Sequence, residues 1–365
     1  MPWFFHPDIK SQHFHFQFLS HGIVNIFSYV ENNKKTLPYT DTFNYLPLTY
    51  LSLGTIHTLL KPFYAPQFYT WLNDWGVNQN NYSNLIYYMF VLKLPYLIFD
   101  LICGIYLLKL FGDKVYKFWL FNPLTIYLIY CLGNFDIVPV CLSVMAYYFL
   151  TKNKNFLSFL LLGIASALKL YPLLLLPYFL FYKKFSIKNI FYYFLPIILS
   201  IAPFLTNQLF IKTFTSSGLS QLLLNQRIFN IPIFPVFYLI IFLFYFIKKI
   251  DINKSLLFLF LIFICFVPFH TQWLLWFLPF ALFAFNPLFA LLLSLSLLIN
   301  FLLDDSFAFF GTLLPINQYF QHLSTPYQII RFRFLQNPTT IQTYLKYLIT
   351  LISALFIFQK HDKNN

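Results

Sequence analysis

The sequence predicts an all-α, polytopic membrane protein with about ten to eleven transmembrane or half-spanning helices. Hydrophobic residues make up 59% of its 365 residues and charged residues only 10%, whereas soluble domains carry about 25% charged residues. Mean hydropathy is +0.67. The apolar residues form continuous runs without the alternation of a membrane barrel, so helices are the expected spanning elements.

Apolar segments along the chain mark the expected spans, because crossing a bilayer takes roughly 20 apolar residues. Two pairs of segments, divided at Lys169–Pro172 and at Asn286–Pro287, predict broken helices. The segments lie at about 84–110, 116–132, 136–151, 156–169, 170–182, 188–205, 231–247, 255–269, 273–285, 288–303 and 341–358.

Lysines cluster in the short loops between these segments, which is typical of cytoplasmic loops. With this span order the lysine groups share one side of the membrane. The N-terminus then lies outside, so either an apolar segment precedes Met1 or the helix at 84–110 translocates the N-terminal region. The segments expected outside are 1–82, Gly133–Asp136, 206–230, His270–Trp273 and 304–340.

Four regions are therefore expected. Residues 1–82 form an extracytoplasmic loop region, with amphipathic helices near 11–30 and 46–60 that lie at the membrane interface. Residues 83–303 form the transmembrane bundle, 304–340 an extracytoplasmic loop, and 341–365 the last transmembrane helix and a cytoplasmic tail.

The net charge of +13 is explained by the lysine loops, so it predicts no nucleic-acid partner. The cysteines are dispersed in apolar segments without paired spacing, which predicts buried free thiols instead of disulfides or a zinc site. They are Cys103, Cys131, Cys141 and Cys265. No residue pattern in the sequence indicates a bound cofactor or a metal site. A divalent metal stays open as an alternative.

Polar side chains interrupt several apolar segments. An ionisable group at membrane depth costs several kcal/mol unless it faces a cavity or finds a partner, so Asp136 and Lys169 are candidate site residues. The structural alternatives are an N-cap role for Asp136 and extension of Lys169 to the interface. Lys93 and Asp100 are expected to pair as a structural salt bridge.

Five short segments, in order along the chain, resemble multi-span GT-C glycosyltransferases, the superfamily that includes the catalytic subunit of GPI mannosyltransferase and its microbial relatives. The resemblance covers roughly residues 6–182 and 268–280. The segments are Phe43–Leu48, Lys93 with Asp100-Leu101, Trp119–Pro123 with Gly133-Asn134, Lys169–Pro172, and Thr271–Trp273 with Trp276 and Pro279.

The resemblance implies an enzyme that transfers a sugar, which the family suggests is mannose. The donor would be a polyprenyl- or dolichyl-phosphate sugar and the acceptor a lipid-linked glycan at the membrane lipid surface. The transfer would invert the configuration of the anomeric centre. The family's acidic pair falls at His6–Lys10, where Asp8 keeps the first acid and Lys10 replaces the second. Asp8 is therefore the expected catalytic base. A missing second acid puts metal binding by the pair in doubt.

The departing phosphate needs positive charge, and the planar guanidinium fork suits a phosphate better than a lysine does. The chain has three arginines, all in expected external loops: Arg227, Arg331 and Arg333. The predicted substrate cavity is lined by Asn134, Asp136, Lys169, Tyr171, His270 and Gln272. Two other functions stay open: a transporter or lipid flippase, and a non-catalytic scaffold of the same fold.

Overall fold

The computed structural model describes residues 2, 4–76, 79, 81–182, 185–215, 223–224, 226–267, 271–282 and 347. The chain divides into two compact units. The first comprises Met1–Leu110 and Ile129–Gly218, and the second comprises Phe111–Leu128 and Leu219–Asn365. The all-α class is confirmed, since a pair of two-residue strands is the only sheet in the described part. The predicted region boundaries stay a prediction.

Helices account for nearly all regular structure in the described residues. In chain order they are α1 (Pro7–Phe16), α2 (Ile26–Asn32), α3 (Pro47–Leu60), α4 (Phe68–Asn73), α5 (Leu85–Phe111), α6 (Asp113–Phe121), α7 (Pro123–Ile126), α8 (Ile137–Thr151), α9 (Asn155–Leu168), α10 (Leu176–Leu180), α11 (Ile187–Ile201), α12 (Gln208–Thr215), α13 (Ile233–Phe246), α14 (Ile252–Phe266) and α15 (Leu278–Ala281).

Tighter or wider turns extend several of these helices. The 3₁₀ segments are Gln17–His21, Lys61–Phe63, Tyr171–Leu175, Ala202–Phe204 and Thr271–Trp276, and a π-helical segment covers Tyr127–Cys131. The strands β1 (Arg227–Ile228) and β2 (Ile231–Pro232) pair antiparallel, with Arg227 opposite Pro232.

The first unit is built on close packing of α8, α9 and α11. Gly163 lies at the contact of α9 with α11, where an added Cβ would stand 2.1 Å from the backbone oxygen of Tyr193. The Tyr193 hydroxyl donates to the Ser166 hydroxyl at 2.7 Å, one turn further along α9. Small residues at such contacts let membrane helices approach closely.

The N-terminal helices pack on this bundle. α1 and α3 each begin with proline, whose missing N–H costs nothing in the first turn. α3 contacts α1, α9 and α11. Its Thr49 hydroxyl donates to the carbonyl of Leu168 at the end of α9, at 2.5 Å. The helices expected near 11–30 and 46–60 therefore exist with shifted bounds, and α3 lies against protein.

In the second unit, the expected span at 116–132 is broken. Asn122 precedes Pro123, and a residue before proline avoids helical geometry, so α6 ends at Phe121. The Asn122 side-chain oxygen accepts the Leu124 N–H at 2.9 Å and starts α7. Further along, α13 packs against α14, and Asp251 caps α14 by accepting the Lys254 N–H at 2.9 Å.

Two helical segments among the described residues are long and apolar enough to cross a membrane, Leu85–Phe111 and Ile187–Phe204. The shorter apolar helices are Ile137–Thr151, Asn155–Leu168, Tyr171–Leu180, Ile233–Phe246 and Ile252–Phe266. A helix of 15 residues is about 22 Å long, which is short of a hydrocarbon core of about 30 Å. The expected spans at 288–303 and 341–358 lie outside the described residues.

Apolar side chains also cover the exposed faces of the longer helices. On α5 these include Phe90, Ile98 and Leu101, and on α11 Phe191, Ile198 and Leu199. α13 exposes Leu239, Leu243 and Phe244 in the same way. Contiguous apolar surface of this kind is unfavourable in water and is expected where helices face lipid.

The packing of α9 on α11 makes Gly163 a sensitive position. In an open helix, Gly→Ala stabilises by up to about 1 kcal/mol. Here the new methyl group would meet the Tyr193 backbone, which cannot rotate away. We expect Gly163→Ala to lower stability by about 1–3 kcal/mol, measured by thermal unfolding of the purified protein in detergent. The control Leu157→Ala, at a side chain 37% exposed on the same helix, should change it much less.

Candidate functional site

Asp136 and Lys169 form a buried ion pair in the first unit. The Lys169 Nζ donates to Asp136 Oδ1 at 2.6 Å, and the two side chains are 12% and 1% exposed. Asp136 immediately precedes α8 but makes no capping hydrogen bond with its side chain. Lys169 follows α9 in extended conformation. The pair therefore joins the start of α8 to the end of α9. Asp136 does not cap α8 with its side chain, and Lys169 binds Asp136 instead of extending to the interface.

Aromatic rings enclose the ammonium group of this pair. Lys169 Nζ lies 5.7 Å from the ring centre of Tyr45 and 5.2 Å from that of Phe135. The two rings meet edge to face at 5.0 Å. Burial raises the pKa of the Tyr45 hydroxyl, and the nearby carboxylates of Asp8 and Asp136 raise it further. Tyr45 therefore keeps its proton, and its hydroxyl interacts with the Gln12 side chain.

Asp8 lies at the accessible edge of the same cluster. It occupies the first turn of α1, and its side chain is 38% exposed. His6 caps this turn, because its Nδ1 accepts the Asp8 N–H at 3.3 Å. That nitrogen also lies 3.6 Å from Asp8 Oδ1. A ring nitrogen that accepts a hydrogen bond carries no proton of its own, so we regard His6 as a cap and not as a charged partner of Asp8.

Two side-chain amides connect α1 to the loop before α8. Asn134 Nδ2 donates to Asp8 Oδ2 at 3.5 Å, and Gln12 Nε2 donates to Asn134 Oδ1 at 3.4 Å. Asp8 and Gln12 are four residues apart, so they share one face of α1. Both bonds are long and therefore weak. Asn134 precedes Asp136 by two residues, which span at most about 7 Å, so the structure brings Asp8 close to the ion pair.

Gly133 lets a lysine pass beneath this loop. Its φ is +65°, a left-handed conformation that favours glycine. An added Cβ would lie 2.8 Å from Cε of Lys93 and 3.4 Å from Cδ1 of Ile9. Lys93 Nζ donates to the carbonyls of Phe4 and Tyr130, each at 2.7 Å. The buried lysine thus fastens the N-terminal segment to the loop that carries Asn134 and Asp136.

The salt bridge expected between Lys93 and Asp100 is not among the ion pairs of the described residues, and both residues bond Tyr130. Asp100 Oδ2 accepts from the hydroxyl of Tyr130 at 2.5 Å, while Lys93 bonds the Tyr130 carbonyl. The two residues are seven apart on α5, about 10 Å along the helix axis, so a direct ion pair needs both side chains to bend toward each other. Tyr130 connects them instead.

Lys10, at the position where the sequence resemblance implies a second acid, lies on the other side of α1. Residues two apart on a helix point about 200° from each other. Lys10 is fully buried between Trp71 and Trp75, with Nζ 5.0 Å and 4.8 Å from their ring centres. It donates to the Asp74 carbonyl and, at 3.1 Å, to the Gln79 side chain. Its charge therefore does not face the Asp8 cluster.

The other predicted site residues are placed as follows. Tyr171 begins the 3₁₀ segment two residues after Lys169 and is fully buried. Gln272 and Arg227 belong to the second unit, where Gln272 is buried and Arg227 is exposed, with its Nε donating to the Leu224 carbonyl at 3.1 Å. His270, Arg331 and Arg333 lie outside the described residues. The cluster that the structure assembles is thus Asp8, Asn134, Asp136 and Lys169.

Three residues that contact this cluster were not predicted as site residues from sequence: Gln12, Tyr45 and Phe135. Tyr45 lies inside one of the family-like segments, which is the signal that could have identified it. Phe135 stands between Asn134 and Asp136. In the part of the chain that the structure describes, no group of three or more His, Cys, Asp or Glu is placed to hold a metal. The four cysteines are buried free thiols.

Comparisons with known proteins confirm the resemblance to GT-C-type glycosyltransferases. The family model described as Glycosyltransferase family 87 matches residues 101–270. GPI mannosyltransferase 1 of Saccharomyces cerevisiae is 29% identical over 127 residues, which cover 32% of this chain and 30% of that protein. The match thus spans less than a third of the relative's length. No solved structure matches the chain.

The family match includes Asn134, Asp136 and Lys169 but begins after Asp8. The ion pair and the amide therefore lie in the part of the chain that resembles these enzymes most directly. Asp8 is connected to that part by its contact with Asn134. Its assignment as a site residue depends on this geometry and on its position in the N-terminal segment.

The buried ion pair should be sensitive to loss of one partner. Asp136→Asn leaves the Lys169 charge beside a neutral amide, and breaking a buried pair costs about 3–5 kcal/mol. The double variant Asp136→Asn, Lys169→Met removes both charges and should recover part of this loss. Thermal unfolding in detergent measures both. The exposed pair Asp113–Lys117, at 2.7 Å, supplies the control, because Asp113→Asn should change stability little. Equal losses in the two single variants would contradict a buried, coupled pair.

Lys10 predicts a pH dependence of stability. Desolvation lowers its pKa from 10.5 to about 8, against the opposing effect of Asp74. Between these values the unfolded chain binds more protons than the folded one, so stability rises as pH increases from about 8 to 10.5. We expect Lys10→Met to remove this rise and Lys35→Met, at an exposed lysine, to keep it. Melting temperatures measured from pH 7 to 10.5 test this, and parallel curves for wild type and Lys10→Met would contradict it.

Proposed function

We propose that this protein is an integral-membrane, multi-pass glycosyltransferase of GT-C type that moves a hexose from a polyprenyl-phosphate donor to a lipid-linked or extracytoplasmic acceptor. Mannose is the proposed sugar, by likeness to the yeast mannosyltransferase. The observation that carries the proposal is the accessible Asp8 carboxylate, held beside the buried Asp136–Lys169 pair within segments that resemble such enzymes.

Asp8 is the proposed general base. Glycosyl transfer passes through an oxocarbenium-like state, and a carboxylate on the face opposite the leaving group takes the proton of the attacking hydroxyl, which inverts the anomeric centre. Of the two acids in the cluster, Asp8 is 38% exposed and Asp136 only 1%. An acceptor hydroxyl can therefore reach Asp8, whereas the Asp136 carboxylate is engaged by Lys169.

Neighbouring groups prepare Asp8 for this role. Asn134 donates to one carboxylate oxygen of Asp8, which orients the group. Tyr45 keeps its proton next to the two acids, and its hydroxyl interacts with the Gln12 side chain. The weak, long amide bonds are compatible with a site that tightens when substrate binds.

The departing phosphate carries negative charge and needs a cation. Within the first unit, Lys169 is the cation of the cluster, and Asp136 holds its ammonium in place. We propose that Lys169 stabilises charge on the donor and that Arg227, Arg331 and Arg333 remain the candidates for a bidentate contact with its phosphate. The proposed mechanism assigns no step to a metal or a cofactor.

The membrane location is supported by two helical segments of spanning length and by the apolar faces of α5, α11 and α13. A donor with a polyprenyl chain is soluble only in the bilayer, so an enzyme for it belongs there. The proposed active face is extracytoplasmic, because the lysine loops predict that residues 1–82 and Gly133–Asp136 lie outside.

The test of mechanism is transfer from a radiolabelled polyprenyl-phosphate mannose in membranes that express each variant. Removing a general base costs about 10²–10⁴-fold in rate, so Asp8→Asn should lower kcat by this order with little change in donor KM. Asp41→Asn is the control, because Asp41 is an exposed acid of the same region that accepts from the Tyr39 hydroxyl at 2.6 Å. It should retain activity.

Three outcomes would overturn parts of this proposal. Full activity in Asp8→Asn would move the base to another acid, Asp136 first. A product that retains the anomeric configuration of the donor would exclude direct attack by the acceptor. Absence of transfer in the wild-type chain, with every hexosyl donor tried, would favour the transporter or scaffold alternatives.

A further inference from the structure

A cavity of about 160 Å³ opens in the first unit, away from the Asp8 cluster. It lies between α2, the segment 42–44 and α12. A water molecule occupies roughly 30 Å³ in the liquid, so the cavity holds the volume of about five waters. This is enough for a phosphate group or a small polar headgroup and too little for a lipid chain.

The floor of the cavity is apolar and firmly packed. It is formed by Phe27, Val30, Phe43 and Leu209, and the first three are buried. Phe27 packs against Phe210 of α12 at 5.0 Å between ring centres, and against Phe43 at 5.9 Å. Asn207, before α12, donates to Asn25 at 3.0 Å and to Ser28 at 2.8 Å, which fixes α12 on α2.

The rim of the cavity is polar and carries more positive than negative charge. Lys34 and Lys212 face one acid, Glu31. Glu31 already binds Lys34 at 2.6 Å, so Lys212 is the cation that this pair leaves available. Asn44 accepts from the Thr42 hydroxyl through its side-chain oxygen at 2.9 Å, which leaves its NH₂ group to donate. A cation and an amide donor above an apolar floor suit an anionic group with oxygen acceptors.

The cavity lies close, along the chain, to the end of a segment that is long and apolar enough to cross a membrane. The spanning segment Ile187–Phe204 ends four residues before α12 begins at Gln208. Leu205, Ile211 and Phe214 are 58%, 43% and 40% exposed, so the outer side of α12 is apolar next to Lys212. Short helices with this distribution lie in the headgroup layer of a bilayer. A lysine there is placed at the depth of lipid phosphates.

Residues of the cavity and of the candidate site are also adjacent in the sequence. Asn44 on its rim is followed directly by Tyr45, whose ring covers Lys169. Phe43 and Tyr45 touch at 5.4 Å between ring centres. Residues 43–45 therefore join the cavity to the aromatic side of the candidate site.

We propose that this cavity is a subsite for the phosphate of a membrane-lipid headgroup, which Lys212 binds and Asn44 orients. It would hold the anchored end of a phosphate-bearing lipid substrate while the acceptor hydroxyl reaches Asp8. The link to catalysis rests on the proposed function, whereas the binding itself does not. A neutral sugar is a poorer occupant, because it would leave Lys212 without a counter-charge.

The experiment measures binding to the purified full-length chain by native mass spectrometry, without any sugar donor. The probe is dihexanoyl phosphatidic acid, with dihexanoyl phosphatidylcholine as the zwitterionic comparison and inorganic phosphate as the soluble competitor. We expect phosphatidic acid to bind, phosphatidylcholine to bind at least about threefold more weakly, and inorganic phosphate to displace the probe poorly.

Opposite charge changes on the rim should have opposite effects. Lys212→Gln should weaken binding of the probe about threefold to tenfold, because it removes a charge-assisted contact. Glu31→Gln should strengthen binding about threefold, because it removes a negative charge and releases Lys34. Lys35→Gln, at an exposed lysine next in sequence to Lys34 but absent from the lining, should bind as wild type does. A general loss of structure cannot produce this pattern.

Two results would overturn the proposal. Equal binding of phosphatidic acid by the Lys212→Gln and Lys35→Gln variants would show that the cavity does not recognise the phosphate. Displacement by inorganic phosphate at equal concentration would show a soluble-anion site instead of a lipid subsite. Asp8→Asn should bind the probe normally, so failure of the catalytic proposal and failure of this one give different results.

Discussion

The Asp136–Lys169 ion pair is the interaction on which the polar cluster of the first unit depends. A carboxylate that is 1% exposed is tolerated only with a close cation and good geometry, and the 2.6 Å contact supplies both. Because the partners stand at the start of α8 and the end of α9, the pair fixes these two helix ends together. The rings of Tyr45 and Phe135 then lie against the ammonium, with their centres 5.7 Å and 5.2 Å from it. The more exposed Asp8 is left as the acid that a substrate can reach.

The position of Asp8 depends in turn on a second buried lysine. Lys93 extends from α5 to the carbonyls of Phe4 and Tyr130, and so connects the segment before α1 with the loop before α8. Gly133 makes room for its stem, since any larger residue there would combine an unfavourable φ with a steric clash. The glycine and the lysine of two family-like motifs are thus explained by one contact. Neither needs to touch substrate to matter for the site.

The sequence was sufficient to predict the helical class and to single out several residues that the structure brings together in the polar cluster. Asp136 and Lys169 stood out because charges are rare in apolar segments, but nothing in the pattern paired them across 33 residues. Gln12 can be predicted as a neighbour of Asp8 only once α1 is known to be a helix, because it lies four residues after Asp8. Tyr45 is one of 27 tyrosines, so composition could not single it out. The break at Asn122-Pro123 was available from local rules and was missed because hydropathy alone defined the span. The three arginines were predicted as phosphate ligands because a guanidinium suits a phosphate, and that argument does not say where they lie in the fold.

The two faces of α1 explain how the chain tolerates lysine at position 10. Asp8 and Gln12 point to Asn134, while Lys10 enters the space between Trp71 and Trp75, and His13 contacts His57 at 2.9 Å. With α1 in this orientation, a carboxylate at position 10 would face the tryptophans and could not share a ligand with Asp8. Lysine at position 10 therefore anchors α1 and leaves the face of the helix that carries Asp8 unchanged. Anchoring by a buried cation between aromatic rings holds the helix without placing a second charge near Asp8. Asp8 is thus a single carboxylate on its face of α1, oriented by the Asn134 amide.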